Sequence, residues 1–180
     1  MAVWLSVTVL FAAAGRPMAP RPPALQPRPR TVSARPAAGD FSLTVSPATV
    51  TFTATNPDSA AVASGGAGAS VSWQSRDGKA GTWSLTVQAG APGFSNCPTV
   101  PIAAVTVFCA SAVTNAGRSG NCSPPFALST LPQVVAGGNQ GMTTFSYAVT
   151  LSFTLADNWK YIAETSPPCS LSLSYAATVP

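Results

Sequence analysis

Phe145 to Leu155 reads FSYAVTLSFTL. Phe145, Tyr147, Val149, Leu151, Phe153 and Leu155 take alternate positions, and Ser146, Ala148, Thr150, Ser152 and Thr154 fill the gaps with small or hydroxyl side chains. Successive side chains of a strand point to opposite faces, so this period of two makes one apolar face and one wet face. A helix would scatter the same apolar residues around its circumference.

The pattern spreads outward from this stretch. Towards the C-terminus, Leu171, Leu173 and Tyr175 alternate with Ser170, Ser172 and Ser174. Towards the N-terminus, Trp83, Leu85 and Val87 alternate with Ser84, Thr86 and Gln88, and Val71 and Trp73 with Ser70, Ser72 and Gln74. Phe41, Leu43 and Val45 share one face, and Val50 and Phe52 resume it after a turn at Pro47. Turn-forming clusters separate the runs: NPD from Asn56, SGGAG from Ser64, RDGKAG from Arg76 and GGNQG from Gly137. No segment carries a helical period. Several short strands with frequent turns predict an all-β fold, an antiparallel β-sandwich of the immunoglobulin-like kind.

Charged residues make up only 8% of the 180, against about 25% in ordinary soluble domains. The net charge of +4 is concentrated at one end. Arg16, Arg21, Arg28, Arg30 and Arg35 supply most of it. From residue 36 onward, Arg76, Lys79, Arg118 and Lys160 face Asp40, Asp58, Asp77, Asp157 and Glu164, a balance of −1. A nucleic-acid binder needs a basic face to neutralise phosphates; this body has none, so nucleic acid is not an expected partner.

The chain opens with an uncharged apolar run, AVWLSVTVLFAAA from Ala2 to Ala14. It is too short for a transmembrane helix, which needs roughly 20 residues, but it fits the apolar region of a secretory signal, with Ala12 to Ala14 as small residues for cleavage. The competing reading is a buried N-terminal strand. Arg16 to Ala38 then holds seven of the eighteen prolines and cannot bury enough surface to offset its ordering entropy. The expected organisation is a signal region over 1–14, a Pro/Arg-rich linker over 15–39 and a sandwich domain over 40–180, in a secreted protein at the cell surface.

Cys97, Cys109, Cys122 and Cys169 are even in number, which in a secreted chain predicts two disulfides. No C-x-x-C pair suggests zinc, and no metal is expected. Cys109 shares the parity of Val105 and Val107, and Cys169 that of Leu171 and Leu173, which suits a Cys109–Cys169 bridge with Cys97–Cys122. The short Cys109–Cys122 loop is equally easy to close, leaving Cys97 with Cys169. The sequence leaves both open.

Catalysis finds little support. The chain has no histidine, so its serines lack the usual base. Asp58 and Asp77 lie in turn-like sequences, where Asp bonds its own backbone. Asp157 and Glu164 flank NWKYIA and read as a solvated loop. SGGAG lacks the lysine and helix of a phosphate-binding loop. No enzyme and no cofactor is expected. Trp159 and Tyr161 are the candidate binding surface, since an aromatic ring on a loop can stack on a sugar or a partner; the alternative for Trp159 is a lid on the sandwich edge.

Three stretches carry a resemblance. GTWSLTVQA, from Gly81, resembles the first Trp-x-Leu segment of the WxL domain, a cell-surface domain of Gram-positive bacteria. FSNCPTVPIAAVTV, from Phe94, is similar to the segment that follows it there. YAVTLSFTLADNW, from Tyr147, is similar to the second motif, with Phe153-Thr154-Leu155 in the place of Trp-x-Leu. The resemblance implies a WxL-like β-sandwich attached non-covalently to the cell wall, with peptidoglycan or another envelope polymer, or other surface proteins, as partners. Trp83, Leu85, Phe153 and Leu155 are its motif residues. By parity Trp83 shares the apolar face with Leu85 and Val87, which predicts a core role for it. The alternative function is a structural subunit of an extracellular fibre or pilus-like assembly, with self-assembly as its partner class.

Overall fold

The computed structural model describes residues 3–10, 42–52, 62–64, 68–74, 80–115, 120–142, 146–156, 158, 161 and 169–180. The 15–39 linker, Asp40, Phe41, Phe145, Asp157, Trp159, Glu164 and the turns expected at Asn56 and Arg76 lie outside them. Every Asp, Glu, Lys and Arg of the chain also falls outside.

In chain order the strands are β1 (Val3–Leu10), β2 (Ser42–Ser46), β3 (Val62–Ser64), β4 (Ala69–Gln74), β5 (Gly81–Ala89), β6 (Gly93–Phe94), β7 (Cys97–Pro101), β8 (Val105–Thr114), β9 (Asn121–Cys122), β10 (Phe126–Ala127), β11 (Gln133–Gln140), β12 (Ser146–Ala156) and β13 (Ser170–Thr178). A 3-10 turn, Ile102–Ala104, links β7 to β8. One sheet runs β1-β13-β5-β11-β9 and the other β10-β8-β12-β4-β2, with β3 beside the far end of β12; β6 and β7 form a small separate ribbon. All pairings are antiparallel. Two packed antiparallel sheets form the expected sandwich.

The period of two explains the layers. Along β12 buried and part-buried residues alternate from Ser146 to Leu155, and β5 and β4 do the same. Their inward residues join one core that includes Val71, Trp73, Trp83, Leu85, Tyr147, Leu151, Leu173 and Tyr175. Removing such apolar area from water is the main favourable term in the fold, about 1.5–3 kcal/mol per fully buried large side chain.

Two expectations about local structure change. GGNQ is no turn: Gly137 to Gln140 belong to β11, where Gly137 pairs with Ser84 and Gly138 with Trp83. Those glycines allow close approach, since a Cβ on Gly137 would stand 3.0 Å from the Trp83 carbonyl oxygen, and one on Gly138 3.2 Å from its Nε1. On β8, the register against β12 shifts between Thr150 and Leu151. Val105 and Val107 are buried before the bulge, Ala112 and Thr114 after it. The extra residue switches which parity faces inward.

The bridges are Cys97–Cys169 and Cys109–Cys122, with Cα separations of 5.4 and 5.3 Å. The Cys109–Cys169 alternative fails on topology. β8 lies over β9 and β11, so Cys109 on β8 reaches Cys122 on β9 and ties one sheet to the other. Cys169 precedes β13, near the opposite edge, and is joined to the β6–β7 ribbon through Cys97.

Candidate functional site

The Trp-x-Leu positions are packing residues. Trp83 is 2% exposed, Leu85 0%, Phe153 3% and Leu155 5%. Trp83 belongs to a trio that spans the two sheets. Trp73 stacks on Tyr147 with centroids 5.0 Å apart, and Trp83 meets Trp73 edge-on at 5.6 Å and Tyr147 at 5.5 Å. Such pairs add about 0.5–1.5 kcal/mol beyond area burial. The Tyr147 hydroxyl donates to Oε1 of the buried Gln140. Burial raises the Tyr147 phenol above its ordinary pKa of 10.0, and does so more strongly for Tyr175. Trp83 and Tyr175 lie wholly inside the sandwich, while Trp73 and Tyr147, buried as they are, also border a depression at one end of it.

Of the expected loop aromatics, Tyr161 is half-buried and packs against the core, its N–H donating to the Asn158 carbonyl at 2.9 Å. Trp159 lies outside the described residues. The strand register organises the outward side chains.

On the outer face of the β2–β4–β12–β8 sheet, paired positions form rows across the strands. Ser46, Ser70, Thr150 and Ser111 stand in one row, Thr44, Ser72, Ala148 and Val113 in the next. Gln74 and Ser146 begin a third, and Thr154 and Thr106 pair further along. Rows repeat every second residue, about 7 Å along a strand, and strands lie about 4.8 Å apart. The outcome is a lattice of neutral hydroxyls broken by apolar positions, among them Ala148, Val113 at 47% exposure and the half-buried Phe108.

A depression of about 490 Å³ opens at the first-residue end of β12, lined from this face and also by the buried Trp73, Thr114 and Tyr147. Its middle is shallow-sided because the two central strands carry Ser72 and Ala148, the smallest side chains of their row. Thr44 and Val113 flank them, and Gln74 and Asn115 stand at the end. The Asn115 side chain is already held, its Oδ1 accepting the Ser146 N–H at 3.2 Å while the Asn115 N–H donates to the Ser146 carbonyl at 3.0 Å. That ladder fixes the rim. Hydroxyls and amides each donate and accept, so the site offers neutral hydrogen bonds over a partly apolar floor. The alternation in sequence marks these residues as wet; only the pairing register shows that they align.

No family model, no curated protein and no solved structure matches this chain.

Proposed function

We propose that this chain is an extracellular, non-catalytic binding module that holds an uncharged, hydroxyl-rich envelope polymer against the outer face of its β2–β4–β12–β8 sheet. The glycan strands of peptidoglycan are the first candidate. One observation carries the reading: the registered rows of neutral hydrogen-bonding groups, with a depression among them lined by uncharged side chains. A polymer of sugar hydroxyls presents the complementary donors and acceptors at short repeats. The two disulfides favour an oxidising compartment. The similarity of GTWSLTVQA and YAVTLSFTLADNW to WxL segments agrees with attachment to a cell wall, and the burial of Trp83 and Phe153 assigns those motifs to the fold instead of to contact.

Retention of the folded protein on purified peptidoglycan and on neutral polysaccharides tests this. The native chain is expected to be retained, and Ala148→Arg, which fills the depression, to be lost from the pellet with an unchanged melting temperature. A native chain that stays in the supernatant with every polymer overturns the reading. The fibre-subunit alternative draws its support from the edge of the other sheet.

A further inference from the structure

The run expected to be a secretory signal has a place in the fold. β1 pairs antiparallel with β13 over its whole length, Val3 opposite Ala177 through Leu10 opposite Ser170. β13 is thereby paired on both sides, with β5 on the other. Among the described residues β1 has no second strand beside it, so it closes the sheet as its edge.

The match is one of phase as well as length. Val3, Leu5, Val7 and Val9 fall opposite Ala177, Tyr175, Leu173 and Leu171, and these four residues of β13 belong to the core. Ser6 and Thr8 fall opposite the half-buried Ser174 and the exposed Ser172. A one-residue slip would set Ser6 and Thr8 against core residues of β13, and Val7 and Val9 against its serines. A signal region needs only an uninterrupted apolar stretch. Hydroxyls at these two alternate places, in step with those of β13, are what a strand requires.

We propose that the outer edge of β13 is a strand-acceptor site whose occupant is residues 3–10, and that a copy of the chain lacking this segment binds it in trans. Main-chain hydrogen bonds to the open edge supply the affinity, and the core positions at Ala177, Tyr175, Leu173 and Leu171 supply the selection, as in other cases of strand addition. Removal of the run on secretion would leave an unpaired edge of the kind that draws in another chain. Retention of the run keeps the sheet closed.

The test uses the oxidised chain lacking residues 1–14 and a peptide spanning residues 2–11 with a solubilising lysine tail. At about a hundredfold excess over Kd the peptide is expected to raise the melting temperature by about 5–10 °C. It is also expected to restore hydrogen-exchange protection to the β13 amides. Peptides carrying L5D and V7D, or the same residues with the apolar ones grouped together, are expected to do neither. No effect from the native peptide up to 1 mM on a folded, shortened chain, or equal effects from native and altered peptides, overturns the proposal. Should the shortened chain fail to fold, the full chain with L5D and V7D decides. Exchange of β13 at least tenfold faster than in the unaltered chain, with β12 unchanged, supports the acceptor site, and unchanged β13 protection overturns it.

Discussion

Gly120 stands against the indole of Trp83: a Cβ on this glycine would fall 2.5 Å from Cζ2 and 2.8 Å from Cη2 of the ring. The ring cannot yield easily, because Trp73 and Tyr147 hold it from the other sheet. Gly120→Ala is therefore expected to destabilise the fold by about 1–3 kcal/mol through overpacking, read by denaturant unfolding. Gly93→Ala is the control. No heavy atom lies within 4 Å of a Cβ at Gly93, so its effect should stay within about 0.5 kcal/mol.

Trp83→Ala should cost about 3–5 kcal/mol, the usual range for emptying a buried aromatic site. The molecules that remain folded should still bind polymer, because the rows of the opposite sheet's outer face are untouched. Binding normalised to the folded fraction checks this. A fully stable Trp83→Ala protein that no longer binds would make the indole a contact residue.

Binding at the hydroxyl face should ignore salt. The aligned rows and the lining of the depression are uncharged, so contact with them gives ions no Coulombic attraction to screen. Retention by the chain lacking residues 1–39, which removes the five N-terminal arginines, is expected to change less than twofold between 50 mM and 1 M NaCl. A steep decline would point to a site among the charged residues instead.

Alkali should unfold the sandwich. Tyr147 and Tyr175 have phenols whose pKa burial raises above 10.0. The unfolded chain thus releases these protons first, and folded-state stability is complete below pH 10 and lost as pH rises from there through the folded-state values. Unfolding free energy measured between pH 8 and 11.5 should decline above pH 10, and Tyr147→Phe should make the decline shallower.

Non-reducing proteolysis with mass spectrometry should recover peptides linked through Cys97–Cys169 and Cys109–Cys122. The sequence separations are 72 and 13 residues. The chain-entropy estimate assigns the longer loop about 4.4 kcal/mol and the shorter about 3 kcal/mol. Removing the Cys97–Cys169 pair should thus be the more damaging of the two, measured by unfolding midpoints of the paired serine variants.

The alternation in FSYAVTLSFTL was enough to read the class of fold and the inward role of Trp83, because both depend only on local parity. What escaped the reading depends on neighbours distant in the chain. Gly137 and Gly138 look like a turn until Trp83 is seen pressed against them on the next strand. The bulge on β8 reverses parity with no local mark in VTVFCASAVT. The cysteine pairing follows from which strands lie at which edge, a matter of sheet order. The hydroxyl rows fall in the same group: each serine was visible, but alignment of Ser46, Ser70, Thr150 and Ser111 exists only once four strands are in register.

The chain carries +4 overall, yet Arg16, Arg21, Arg28, Arg30 and Arg35 supply +5 of it and the balance from residue 36 onward is −1. A protease that trims the arginine-bearing stretch would reverse the sign of the protein's net charge, and with it the direction of drift in an applied field, and leave the pairings from β2 to β13 as they were.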